Sequence, residues 1–147
     1  MAVDREKLLL DLFTEIAVVE HLVRNFLDPI EPLDMTAGQF GALNYFVRNN
    51  RTEERKGVLA WLFQVTPAEM DVHLVALEKR DFIACRDDGD DQIVSLTDAG
   101  RAAHSAAIAA MAPQIEPLMS EFRDEDLEQT VTTLQEIRRV FDNLPER

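Results

Sequence analysis

From residue 8 to residue 26 the apolar side chains recur at steps of three and four: Leu8, Leu12, Ile16, Val19, Val23 and Phe26, with Leu9 and Phe13 beside them. That period gathers them on one stripe of an amphipathic helix. A stripe so apolar needs a cover. A second one at the other end has the same need, since Leu127, Val131, Leu134, Ile137, Phe141 and Leu144 share a face of a helix opened by Asp124. Two long terminal helices of this kind gain most by covering each other across a two-fold axis, so the pattern predicts a homodimer. Asp28-Pro29 and Glu31-Pro32 stop the first helix, because a residue before proline avoids helical dihedrals.

Between these helices the chain is densely punctuated. Thr36 is a good N-cap for a helix carrying Phe40, Leu43, Tyr45, Phe46 and Val47, which Asn49-Asn50 ends. A polar loop, Arg51 to Lys56, leads to a short apolar helix from Val58 to Phe63, in which Trp61 reads as core. Thr66-Pro67-Ala68-Glu69 then places a hydroxyl at the N-cap, proline at the first helical position and glutamate three residues after the cap. The helix it opens runs through Met70, Leu74 and Leu77 to Arg80. Phe82 to Arg86 and Gln92 to Leu96 read as two strands, joined by the turn Asp87-Asp88-Gly89-Asp90-Asp91. Thr97 caps an alanine-rich helix that Pro113 and Pro117 should bend or interrupt. Two helices joined by a tight turn and followed by a two-stranded wing define a winged helix-turn-helix, a mainly α chain with a small antiparallel β wing.

Charge bears directly on partners. Against 15 basic residues stand 28 acidic ones, for a net charge of −13 over 147 residues. Such a field repels phosphate backbones and anionic membranes at long range, although a local basic patch overcomes it within a Debye length of about 10 Å at 0.1 M salt. Asp11, Glu15 and Glu20 interrupt the first apolar stretch, so neither export nor a membrane span is expected. The single Cys85 makes no internal disulfide and agrees with a reducing cytoplasm; it reads as a buried small hydrophobe. His21, His73 and His104 lack the i, i+4 spacing of a helical metal site. With no nucleophile motif and no Gly-rich phosphate loop either, neither an enzyme, a metal nor a cofactor is expected.

The order of elements resembles that of the MarR family of transcription regulators, and particular residues carry the resemblance. Leu33-Asp34-Met35-Thr36, with Gln39-Phe40 and Leu43, is similar to the start of the family's second helix. Leu77-Glu78-Lys79-Arg80-Asp81-Phe82-Ile83 is similar to the end of its recognition helix, with Asp81 where glycine is usual. Leu96-Thr97-Asp98-Ala99-Gly100-Arg101 looks like the motif closing the wing. The resemblance implies one domain over 1–147, with residues 1–32 and 98–147 as dimerisation helices and 33–97 as the winged helix-turn-helix lobe. It also implies double-stranded DNA as partner and a small-molecule effector in a crevice between the dimer helices and that lobe, whose lining residues the sequence leaves open.

On this resemblance the groove-facing candidates are Thr66, Ala68, Met70 and His73. Arg80, Arg86 and the Arg51, Arg55 and Lys56 loop would hold phosphates. The stretch Pro67 to Val72 departs from the family in having no base and two acids, Glu69 and Asp71. Glu69 reads as a capping-box acid and Asp71 as a solubilising one. From Thr66 to Asp91 eight acids face three bases, and the acidic hairpin reads as a solvated turn that repels DNA. Two functions stay open: a ligand-responsive DNA-binding regulator, or a winged-helix protein that has lost DNA binding and serves as an acidic protein-interaction or DNA-mimicking module. A passive small-molecule binder is a third.

Overall fold

The protein's structure, a computed structural model, describes residues 3–31 and 33–144. The helix stop expected at Pro32, and the outermost residues of both expected dimerisation segments, lie outside the described residues. Among the described residues six α-helices and three strands follow one another as α1 (Arg5–Leu27), α2 (Ala37–Arg48), β1 (Glu53–Arg55), α3 (Lys56–Leu62), α4 (Pro67–Lys79), β2 (Ile83–Asp88), β3 (Asp91–Leu96), α5 (Asp98–Ile115) and α6 (Asp124–Asp142). The arrangement is a winged helix-turn-helix with one small antiparallel sheet, ordered β1-β3-β2. The chain divides into two compact units, Met1–Met111 and Ala112–Arg147.

In the first unit the core is built where α2, α3 and α4 meet the sheet. Phe46 and Leu43 of α2, Leu59 of α3, Leu77 of α4, Ile83 of β2 and Val94 of β3 are fully buried. Each such side chain contributes about 1.5–3 kcal/mol of burial. In contrast, α1 has no buried residue, and its predicted stripe leaves Leu8, Val19, Val23 and Phe26 exposed. The second unit holds the end of α5, a short 3₁₀ turn (Glu116–Met119) and α6, which also buries no residue.

Four details differ from the sequence reading. The 51–56 stretch contains a strand: β1 pairs with β3 through Glu53–Ser95, Glu54–Val94 and Arg55–Ile93. The wing strands run further than expected, to the pair Asp88–Asp91, so Gly89 and Asp90 alone make the turn. Gly89 turns it with a φ of 63°, which glycine adopts without a Cβ clash. Trp61 is not core; it is 41% exposed, and α3 buries Leu59 and Ala60 instead. Pro113 lies inside α5, and the helix closes two residues later at Ile115.

Three helices end in the same way without the residue best suited to it. After α2, α3 and α4 the chain turns left-handed at Asn50 (φ 52°), Gln64 (φ 54°) and Asp81 (φ 60°). The next amide bonds back to the carbonyl five residues earlier: Arg51 to Phe46, Val65 to Ala60, Phe82 to Leu77. These are Schellman closures, which glycine usually makes. At Gly100 the opposite holds, since a Cβ there would stand 2.0 Å from the Phe82 carbonyl oxygen. Only glycine lets α5 lie so close to the link between α4 and β2. Asp81→Gly is therefore expected to stabilise the fold by about 0.5–1 kcal/mol, the left-handed strain removed less glycine's extra chain entropy. Gly100→Ala should destabilise it by about 1–3 kcal/mol. Urea titrations of both variants check the two signs together.

Candidate nucleic-acid interface and cavity

The helix expected to read DNA is α4, and its start is fixed by reciprocal capping. The Thr66 hydroxyl accepts from the Glu69 amide at 3.1 Å, and the Glu69 carboxylate accepts from the Thr66 amide at 2.8 Å. Pro67 takes the first helical position. Met70, Leu74 and Leu77 then turn inward. Met70 is only 2% exposed, so its assignment to the groove-facing set is corrected: it is a core residue. His73 is corrected likewise. Half-buried, it lies over Gly38 of α2, where a Cβ would meet its ring at 2.4–2.9 Å. Thr66 and Ala68 remain on the outer surface. The outer face continues through Val72, 69% exposed, Val75, 50% exposed, and Lys79. Neither valine was singled out from the sequence, although the steps 68, 72, 75 and 79 mark a single helical stripe.

The phosphate candidates are drawn together around the sheet, but each already has a partner. Arg55 Nη2 donates to Asp88 Oδ2 at 2.6 Å, and Arg86 Nη2 to Glu53 Oε2 at 2.9 Å. Lys56 Nζ lies 3.1 Å from Asp71 Oδ1, so Asp71 does more than solubilise. Arg51 is paired with Glu54. Arg80, apart from the others, stacks its guanidinium 4.7 Å over the Phe82 ring and reaches the Asp34 carbonyl at 3.4 Å. Two further wing acids are also used: Asp91 accepts from the Gly57 amide at the start of α3, and Asp87 accepts from the Gln92 side chain.

Glu54 is the buried member of this group. Its carboxylate accepts from the Tyr45 hydroxyl at 2.6 Å, from the Arg55 amide at 2.9 Å and from Arg51. Burial pushes its pKa up, but those three donors outweigh burial and hold it below the ordinary value of 4.5. Tyr45 is raised in turn, by burial first and then by its bond to Glu54. Cys85 is half-buried rather than buried; desolvation first, and then the Glu78 carboxylate, push its thiol up to about 11. His104 stacks on Phe40 at 5.2 Å, and its Nε2 donates to Asn44 Oδ1 at 2.9 Å. Burial first, and then Arg101 nearby, push its pKa below the ordinary 6.5. Among the described residues no group of three His, Cys, Asp or Glu is placed to hold a metal, and no helix is long and apolar enough to cross a membrane.

A cavity of about 720 Å³ opens in the first unit between α1, α2 and α4, reached on α4 by Met70 and His73 and also by Val72. Val23, Leu27, Phe40, Phe63, Met70 and His73 form much of its wall. Its charged groups are Glu20, Arg24 and Asp28, with Arg24 Nε 3.3 Å from Glu20 and Asp28 accepting from the Ala37 amide at 3.0 Å.

No family model matches the sequence, and comparison with curated proteins finds no match. Solved structures do match. The crystal structure of MarR is 17% identical with a TM-score of 0.75 over 87% of this chain and 88% of that one. A MarR-family transcriptional regulator from Streptomyces coelicolor is 17% identical, with a TM-score of 0.73 over 93% and 97%. An organohalide-sensing transcriptional regulator in its 2,4-dichlorophenol-bound form is 18% identical, with a TM-score of 0.67 over 94% and 82%. The class defined by helices and wing is the winged helix-turn-helix. Within that class, the chain has the fold of the MarR-family regulators.

The buried carboxylate gives a pH test. Because its folded pKa is depressed, Glu54 stabilises the fold above pH 4.5, and that stabilisation is lost as pH falls through the lowered value. Glu54→Gln should cost about 1.5–3 kcal/mol at neutral pH, the range for bonds to a charged group. The gap to the parent protein should close in acid; a gap constant from neutral pH to pH 3 would show that the charge of Glu54 is not what matters.

Proposed function

We propose that this chain is a dimeric, ligand-responsive transcription regulator that binds double-stranded DNA through α4 and the wing. The observation that carries this is the position of the cavity. Met70 and His73 of α4 form part of its wall, so a molecule filling it presses on the inner side of the helix whose outer side would meet the major groove. The fold shared with MarR-family regulators, one of them solved with 2,4-dichlorophenol bound, supports the same reading. Dimerisation is supported by α1 and α6, neither of which buries a residue within one chain. Residues 1–32 and 98–147 would supply the interface, and 33–97 the DNA-binding lobe. Lone Cys85, kept as a thiol, suits work in the cytoplasm. Around the cavity Glu20 and Asp28 outnumber Arg24, which Glu20 already engages, so an apolar neutral or cationic effector suits it better than an anion.

In this reading Thr66, Ala68, Val72 and Val75 face the groove, while Arg51, Arg55, Lys56, Arg80 and Arg86 hold phosphates. With those cations taken up internally, binding is weak and its salt dependence shallow, since each phosphate neutralised contributes about −0.9 to the slope. The paired cations and the apolar outer face of α4 also favour a second reading, a winged-helix module that has left DNA for a protein partner. Mobility shift on genomic fragments at low salt separates them. A sequence-specific retarded band, released by tetraphenylphosphonium more readily than by its isosteric anion tetraphenylborate, is expected; no band at any ligand condition would sink the regulator reading. Light scattering should report twice the chain mass at micromolar concentration, and a well-folded monomer would remove the paired-reader mechanism.

A further inference from the structure

Four carboxylates sit on the cations that DNA binding would use, and three of these pairs cross between elements. Asp88 of β2 holds Arg55 of β1, Glu53 of β1 holds Arg86 of β2, and Asp71 of α4 holds Lys56 at the start of α3. The fourth, Glu54, is buried in the Tyr45 network and serves the fold. The other three differ from it. Their side chains are about half exposed, at 51%, 51% and 47%, as are Arg55 and Arg86 at 50% and 59%, so solvent screens those two pairs and they hold their cations only weakly; Lys56, 19% exposed, is the least accessible of the three cations. Such a pair does not lock a cation. It makes phosphate compete for it.

We propose that Glu53, Asp71 and Asp88 set the DNA affinity of this protein by standing in for phosphate in the DNA-free state. The inference rests on the DNA-binding reading above. When DNA arrives, each cation exchanges a carboxylate for a phosphate. The counterion that the phosphate releases is matched by one that the freed carboxylate takes up, so an exchanged contact adds almost nothing to the salt slope. The three residues thus account for a shallow slope even where several phosphates are touched. They differ in kind from Asp87 and Asp91, whose bonds go to a side-chain amide and a backbone amide rather than to a cation.

The test compares the full-length protein with the triple variant Glu53→Gln, Asp71→Asn, Asp88→Asn, using fluorescence anisotropy on a labelled mixed-sequence duplex over a range of salt. A control with the same charge change, Glu121→Gln, Glu128→Gln, Glu136→Gln in the segment read above as dimerising, separates local unmasking from net charge once light scattering shows that it keeps the parent's oligomeric state. The triple variant should bind at least about tenfold more tightly at low salt, with the slope steeper by about 0.9 for each cation that gains a phosphate. The control should keep the parental slope. A triple variant with the parent's or the control's affinity and slope overturns the proposal and leaves DNA binding standing; no binding by any of the three overturns both. Thermal melts check that the variants fold. Should the triple fail, Asp88→Asn alone frees Arg55, and an unchanged slope in that variant counts equally against the proposal.

Discussion

The rotational phase of α4 governs what this lobe can do. Burial of Met70, Leu74 and Leu77 holds that phase with about 1.5–3 kcal/mol from each side chain, and the reciprocal Thr66–Glu69 bonds hold its first turn. Once the three apolar residues face the core, helical geometry assigns the rest. His73 is carried round to Gly38 and the cavity, while Ala68, Val72 and Val75 are carried outward. No rearrangement of the surface presents a basic side chain in the middle of this helix, because its only cation before the C-cap is Lys79, in the last turn. Any contact with phosphate has to come from the flanks.

Those flanks are organised by the sheet, and here acidic residues have structural work. Glu53 and Glu54 are successive residues of an edge strand, so their side chains leave it on opposite faces. One goes inward to Tyr45, the other outward to Arg86. Asp88 and Asp91 are cross-strand partners at the end of the hairpin; the first takes Arg55 and the second caps the amide of Gly57. The wing is therefore tied to β1 and to the start of α3 by the same acids that lower its potential. Structure and repulsion share their residues, which separates this wing from a solvated acidic turn.

Most of the fold was legible in the sequence, because its strongest local devices have mechanisms that tertiary context does not override. Thr36 and Thr66 each close a capping box, and the elements they open begin where expected. The periodic stripes of α1 and α6 were equally plain. What was missed has physical reasons. Strand β1 is built of Glu-Glu-Arg, and only the distant donors Tyr45 and β3 make a buried Glu54 acceptable, so no window of sequence announces it. Trp61 was placed in the core by its size, yet Leu59 and Ala60 occupy the inner face of so short a helix. Met70 and His73 were assigned outward from the family's pattern without tracing the helical phase from Leu74 and Leu77, which would have turned Met70 inward. The excess of acids is plain in the sequence, but a count does not say which of them hold a cation.

That distinction between the sum and the arrangement decides how the net charge of −13 should be understood. A distributed field of that size acts at long range and is screened by salt, whereas an ion pair across two strands is local and, half exposed, engages its cation only weakly. For an approaching polyanion the first sets how often it arrives; the second sets whether a cation is available when it does. In this lobe both disfavour phosphate, but only the second is carried by identifiable side chains on the face that would meet DNA. The cavity, lined by Met70, Val72 and His73 of α4, shares none of those pairs. On the regulator reading, a ligand there would shift the helix without altering its charge. The residues that line the cavity and the acids that hold the flanking cations are thus separate sets, the acids spread over β1, β2 and α4.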